Sequence, residues 1–334
     1  KRNGERSKSI FLQNGYLCGK VGKMAKIIAS IVWCFIYVVS LLPLRLHYLF
    51  SDFLAWLLRD VFAYRKSTIY INLARSFPQL KYGEIKELSK QYYKYMCDIM
   101  VESIWQLSAS DRKLCRMVRM EGGDLVDDLM KRYGKVIAML GHRGNWEMLG
   151  TLCRENALRR PGSFSSNEII ITYKVARSKV ANLLFEKIRM HEYGKFHNPG
   201  RIVSSKQILH HAATSPENGL YIFIADQYPR QGGIPAMFLN QQTVFFAGAE
   251  FIARRLGLPV VYLDIEHVRR GEYVMKFSLV CEDSRNTRRG FITREYARLL
   301  EEHINANRHN WLWSHKRWKR GFTAKEQREY DNFA

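Results

Sequence analysis

The chain has 334 residues, 47% of them hydrophobic, which suits one large α/β domain with an appendage and a sizeable core. Lys and Arg number 53 against 31 Asp and Glu, and the net charge of +22 points to polyanionic partners: nucleic acid, anionic lipid headgroups or phosphorylated substrates. The six cysteines (Cys18, Cys34, Cys97, Cys115, Cys153, Cys281) include no C-x-x-C pair. Their scatter argues against a disulfide framework or a zinc site and favours reduced thiols in a cytosol-facing body.

Residues 1–26 form a basic, glycine-bearing leader. Ile27 to Leu44 then runs without a charge for 18 residues, about 27 Å if helical, close to the hydrocarbon thickness of a bilayer. Lys20, Lys23 and Lys26 precede the run and Arg45 closes it, so the flanking charges set no orientation. No A-x-A cleavage site follows. The run is read as a membrane anchor, spanning or embedded from one side; the alternative is a buried core helix. Tyr48 to Tyr64 continues as an amphipathic helix, with Leu49, Phe53, Trp56, Leu57, Asp60 and Tyr64 at three-and-four spacing. It can lie in the headgroup plane or pack onto the body. The chain thus divides into the leader, an anchoring segment over 27–64, a main domain over 65–320 and a tail over 321–334.

Residues 65–133 read as helical, clearest from Glu84 to Trp105, where Leu88, Tyr92, Tyr95, Ile99, Met100 and Ser103 follow helical spacing. Pro78 and Gly83 mark the turn before it. Strands then alternate with helices: strands at Lys135–Leu140, Glu168–Tyr173, Leu220–Ala225, Val260–Glu266 and Tyr273–Val280. Helices are expected at Trp146–Ala157, Ser178–His191, Ile202–His211, Ala247–Leu256 and Thr293–Asn307. The fold class is α/β, with a mainly parallel central sheet flanked by helices and an N-terminal membrane-anchoring helix.

The most informative stretch is Val136 to Glu147. An apolar strand ends at Gly141, His142 follows at once, and Glu147 opens the next helix. Ligands collect at the carboxyl ends of strands in such sheets. Imidazole can take a proton from a hydroxyl, and a carboxylate on its other nitrogen would fix the tautomer. Five residues apart on one helix, the two would be about 140° out of phase. They can meet only if His142 sits in a loop and Glu147 in the first helical turn, which Gly141 and Gly144 permit. Asn145 fits an N-cap. The bland alternative is a histidine satisfied at a strand end and a glutamate favoured by the helix dipole.

No G-x-S-x-G elbow, P-loop or H-E-x-x-H supplies a competing nucleophile, phosphate cradle or metal site. The adjacent His210 and His211 point about 100° apart on a helix and do not suit one metal. Lys174 and Arg177 follow the second strand and could clamp phosphate. Asp226 ends the third strand and enters a loop with Arg230, Gly232, Gly233 and Pro235, a place where substrates are gripped; it can orient a basic group or simply cap the turn. In Trp311–Arg320, basic and aromatic residues interleave, which fits stacking on nucleic acid, a membrane-interface belt or a packed strand with a basic rim.

In this order the blocks resemble the late acyltransferases of lipid A biosynthesis, the lauroyl/myristoyl-transferase branch of the lysophospholipid acyltransferase superfamily. The superfamily mark H-x-x-x-x-D/E is His142 with Glu147, inside a closely matched G-N-W-E setting. Tyr173-Lys174 looks like the family's Tyr-Arg step, Asp226-Gln227 with Gly233 and Pro235 like its D-Q/H…G…P block, and WLWSHKRWK like its terminal signature. Upstream, Ile71-Asn72-Leu73 through Phe77-Pro78 is similar to its N-L…F-P segment. The resemblance runs from about Ile27 to Arg320.

The resemblance implies a glycerolipid acyltransferase-like fold on the cytoplasmic face of a Gram-negative inner membrane. It implies transfer of a fatty acyl chain from acyl carrier protein to a hydroxyl of a phosphorylated lipid A precursor, with no cofactor or metal. His142 would be general base and Glu147 would orient and charge it. Asn145, Lys174, Arg177, Arg189, Asp226 and Arg230 would bind substrate. Two departures, Lys174 for Arg and Val175-Ala176-Arg177 for Arg-Pro, leave open an aminolipid or lysophospholipid acceptor. A nucleic-acid-binding role fits less well, because the cations flank strand ends instead of tracking one helix, and no nucleic-acid partner is expected. The remaining alternative is a catalytically dead scaffold.

Overall fold

A computed structural model describes residues 23–152, 168–173, 183, 201–229 and 232–333. The uncharged run does not form one straight span. Helix α1 covers Lys23–Ser40 and helix α2 covers Leu44–Trp56, continued by a π-helical turn at Leu57–Val61. Pro43 between them lacks an N–H and disfavours helix at Leu42, so the chain breaks there and bends by 113°. Among the described residues no single helix is long and apolar enough to cross a membrane, although this bent pair together meets the length and composition required.

Helix α3 (Lys66–Ser76) leads to α4 (Tyr82–Trp105), which starts where the Glu84 carboxylate accepts from the Lys81 N–H at 2.8 Å. The face of α2 that meets α4 is small and polar, with His47, Ser51 and Ala55 buried, while Leu46, Leu49, Phe50, Phe53 and Trp56 are exposed. The amphipathic segment therefore packs on the body and presents its apolar face outward. Helix α5 (Asp111–Met117) ends in strand β1 (Val118–Glu121). The all-helical expectation for 65–133 fails there: four residues are too few to show a two-residue period, and the strand exists through its pairing with a distant segment.

Helix α6 (Gly123–Tyr133) precedes strand β2 (Lys135–Leu140). Trp146–Met148 forms one 3₁₀ turn that becomes helical through residue 152; the rest of the expected Trp146–Ala157 helix lies outside the described residues. Strand β3 (Ile169–Tyr173) stands as expected, and the expected Ser178–His191 helix falls outside the described residues apart from Leu183. The expected helix over Ile202–His211 is instead a strand, β4 (Arg201–Ser204), then helix α7 (Ile208–Thr214). Backbone pairing with β3 turns the β-branched Ile202-Val203 pair into an edge strand.

Strand β5 (Gly219–Ile224) follows, then a hairpin of β6 (Ile234–Phe238) and β7 (Gln241–Phe245). Its two-residue turn holds Leu239 and Asn240 at φ 49° and 62°, and a leucine in that position hid the turn from sequence reading. Helix α8 (Gly248–Leu256), strands β8 (Val260–Arg269) and β9 (Glu272–Cys281), helix α9 (Phe291–Ala306) and helix α10 (Ala324–Asp331) complete the order.

The described strands form a seven-stranded sheet in the order β1-β9-β8-β2-β5-β3-β4, beside the separate β6–β7 hairpin. Only β8 and β9 pair antiparallel within it. The central β2 is apolar because both faces are covered: Ile137 and Met139 join a cluster with Tyr262, Tyr296 and Leu300, while Val136, Ala138 and Leu140 join Val126, Leu129 and Tyr273 on the other side. The topology switches at β2, since the chain crosses to β3 on one side and later to β8 on the other. That leaves a crevice at the carboxyl ends of the central strands.

Candidate active site

β2 ends into Gly141, where a side chain would crowd its neighbours: a Cβ would lie 2.7 Å from Leu300 Cδ1 and 3.3 Å from Asp226 Oδ2. β5 is the parallel neighbour of β2, and the Ala225 N–H donates to Leu140 O at 2.9 Å, so Asp226 arrives beside His142. The His142 backbone N–H donates to Asp226 Oδ2 at 2.8 Å, and its Nδ1 lies 2.5 Å from Oδ1. Trp311 Nε1 donates to Oδ2 at 2.8 Å. Asp226 is thus a buried carboxylate with its acceptor sites filled by one imidazole, one backbone amide and one indole.

These contacts set the ionisation. Burial alone would raise the Asp226 pKa, but the His142 charge and the donated hydrogen bonds outweigh it and hold the carboxyl below its ordinary range. Burial would lower the His142 pKa, but the Asp226 charge and hydrogen bond, with Glu147 further away, outweigh it and raise the net value. With Asp226 accepting at Nδ1, that nitrogen carries the proton and the Nε2 lone pair remains for a substrate. Gln227 Nε2 lies 3.3 Å from it, and the imidazole side chain is 13% exposed. The Trp146 ring stands edge-on at 5.0 Å.

Glu147 does not take the place expected of it. It is exposed, accepts from Trp146 Nε1 at 3.0 Å, and contributes only longer-range charge to His142. The carboxylate bonded to the imidazole is instead Asp226, 84 residues away and expected as a substrate-binding residue. Asn145 caps the turn as expected, its Oδ1 accepting from the Glu147 N–H at 3.2 Å. Its side chain is fully buried and Nδ2 donates to Glu102 at 2.7 Å, so it is committed to structure and not open to substrate. Lys174, Arg177, Arg189 and Arg230 lie outside the described residues.

Arg143 points the opposite way from His142. It is buried, with Nη1 at 2.6 Å from both oxygens of Asp264 on β8 and 3.2 Å from Ile265 O. Gly144 sits at φ 62°, and a Cβ there would lie 2.0 Å from Ile265 O. The Arg143–Asp264 pair was missed by sequence reading, because a lone Asp in an apolar strand carries no signal until its cation is known.

The C-terminal block is neither a strand nor an open stacking surface. Trp311 and Trp313 are buried, and Arg143 and Trp311 form an isolated bridge. Arg317 is fully buried, donates to Val244 O at 2.8 Å and lies 4.2 Å from the Phe245 ring centre. Asn72 Nδ2 donates to Trp313 O at 2.8 Å and His315 O at 3.0 Å, while the Phe77 ring packs edge-on against Trp313 at 5.6 Å. The upstream and terminal motifs meet, and together they carry Trp311 to Asp226. Among the described residues no group of three His, Cys, Asp or Glu side chains could hold a metal ion.

The family model described as bacterial lipid A biosynthesis acyltransferase matches residues 20–320. No curated protein matches the chain.

Proposed function

The chain belongs to the bacterial lipid A biosynthesis acyltransferases, and from that premise we propose that it moves a fatty acyl chain from the thioester of acyl carrier protein to a hydroxyl of a phosphorylated lipid A precursor. The observation that carries the chemistry is the His142–Asp226 pair, with Nδ1 bound and Nε2 directed away from the carboxylate. His142 Nε2 takes the acceptor hydroxyl proton as that oxygen bonds to the thioester carbonyl carbon. The resulting oxyanion collapses, the C–S bond breaks, and the imidazolium returns its proton to the departing thiolate. Asp226 stabilises the imidazolium between these steps and keeps the ring from rotating. Glu147 adds negative charge nearby. By the family likeness, the acceptor's phosphates fall to Lys174, Arg177 and Arg189.

The reading includes attachment to the cytoplasmic face of the inner membrane through α1 and α2. Ile27, Ile31, Phe35, Val38, Leu42, Phe50 and Trp56 are exposed on these helices, which supports burial in a bilayer as a bent, one-sided insertion. The net charge of +22 suits an acidic carrier protein and a phosphorylated lipid. Incubating the full chain in vesicles with labelled acyl carrier protein and a lipid A precursor tests the assignment. His142→Ala is expected to lower turnover by on the order of 10²-fold or more with folding retained. Unchanged turnover would reject His142 as the base, and acylation of an aminolipid or lysophospholipid in preference to the glycolipid would reassign the acceptor.

A further inference from the structure

Three of the side chains that bond the turn after His142 come from one helix and its C-cap. Tyr95 and Glu102 on α4 and Gln106 at its C-cap are seven and four residues apart and share a face. Tyr95 Oη donates to Gly144 O at 2.6 Å, and Gln106 Nε2 reaches Glu147 O at 3.4 Å. Glu102, with no exposed surface, accepts from Asn145 Nδ2 at 2.7 Å, and Asn145 Oδ1 in turn accepts from the Glu147 N–H. Residues 98 and 102 of α4 also meet α2: Ser51 Oγ donates to Asp98 at 2.6 Å, and Tyr48 Oη donates to Glu102 at 2.7 Å.

Glu102 is the residue common to both faces. Its third donor is Tyr273 Oη on β9, also at 2.7 Å. Asp98, one turn away, is neutralised by Arg270, whereas Glu102 is held by neutral donors from a helix, a loop and a strand. Removing an acceptor of that kind strands donors on all three, those of Asn145 and Tyr273 fully buried. Tyr48 has little freedom to follow: Arg270 covers its ring at 4.4 Å, and a Cβ on Gly271 would lie 2.5 Å from its hydroxyl.

We propose that Glu102 is a positioning residue that couples the bilayer-facing helix α2 to the loop carrying His142, through Tyr48 on one side and Asn145 on the other. It touches no reacting atom. It holds the turn that follows His142, so that seating α2 in the membrane and aligning the imidazole are parts of one hydrogen-bonded unit. The inference rests on His142 acting as base and α2 facing lipid.

The test uses the full chain in vesicles containing anionic phospholipid, with Glu102→Gln, Tyr48→Phe and the double variant compared with the parent. A glutamine replaces one of the accepting oxygens with an N–H₂ group that faces donors. Glu102→Gln is expected to lower kcat by roughly 10- to 10²-fold through misplacement of the base, with KM for the acyl donor within about twofold. The His142 Nδ1 proton, assigned by NMR through its loss in His142→Gln, is expected to shift or broaden. Tyr48→Phe is expected to act in the same direction and more weakly, and the double variant to be no worse than Glu102→Gln alone, as for residues in one network. A folded Glu102→Gln chain with parental kcat and an unchanged Nδ1 proton would overturn the proposal, as would fully additive effects of the two substitutions. If Glu102→Gln does not fold, Tyr48→Phe decides by the same two readouts. If the parent transfers no acyl group to the glycolipid, the assigned reaction falls, while the Nδ1 proton still decides the role of Glu102.

Discussion

Helices α9 and α2 are both amphipathic and point their apolar faces in opposite directions. On α9, Ile292, Tyr296, Ala297, Leu300 and Ile304 are buried while Arg298 and Glu302 are exposed. On α2 the buried set is His47, Ser51 and Ala55, and the exposed set includes Leu49, Phe50, Phe53 and Trp56. The first arrangement is what water selects. The second leaves a contiguous apolar surface that water disfavours and a bilayer accommodates. Both helices also serve the same loop from different sides. Tyr296 Oη donates to Leu140 O at 2.8 Å and Leu300 lies under Gly141, whereas α2 reaches the loop through Tyr48 and Glu102.

The contrast predicts that changes on the α9 side act on chemistry or folding in any medium, and changes on the outer face of α2 act only where lipid is present. The largest expected effect is at the buried carboxylate beside α9. Asp226→Asn is expected to lower turnover by on the order of 10³–10⁴-fold, in detergent and vesicles alike, because the imidazole loses its orienting charge. The sign of the pH effect follows from His142. Its raised pKa means that the neutral base appears only above the ordinary value of 6.5, so the acid limb of kcat/KM should lie above that value in the parent. The same raised pKa favours the folded state below the unfolded value, a contribution lost as pH rises through the folded one. In Asp226→Asn the limb should move down. A limb that stays in place would show that another group titrates.

Next in size is Leu300→Ala, which opens a cavity under Gly141 and is expected to cost about 2–5 kcal/mol in urea unfolding. A loss below about 1 kcal/mol would mean that the loop is not supported from that side. The smallest expected effect on the folded body comes from Phe50→Ser, Phe53→Ser and Trp56→Ser combined. Stability in detergent should change little, since these side chains are exposed. Binding to anionic vesicles, read by sedimentation, should fall by roughly 10- to 10²-fold from the lost apolar burial. Unchanged vesicle binding would refute the bilayer-facing reading of α2.

Much of the sheet was legible because its strands carry apolar runs: β2, β3, β5, β8 and β9 all stand where such runs predict. β1 and β4 were not, since each has four residues and owes its existence to a partner strand. The run from Ile27 to Leu44 was expected as one anchoring helix, spanning or embedded from one side; its break was not legible, since α1 stops at Ser40 and Pro43 bends the chain by 113°. In the candidate site, His142 and Asp226 both announced themselves as polar residues closing apolar strands. Their pairing did not, and the nearer carboxylate, Glu147, took the expectation that belonged to Asp226. Glu102 gave no signal: within a helical pattern a glutamate reads as solvent-facing.

The sequence by itself determined which segments are buried, where strands stop, and that a histidine follows the stop at Gly141. Those properties depend on hydrophobicity and on residues within a few positions. Only the tertiary structure decided which carboxylate serves that histidine. β5 comes after β3 in the chain but lies between β2 and β3 in the sheet, and strand order, not sequence spacing, brings Asp226 to within 2.5 Å of the imidazole.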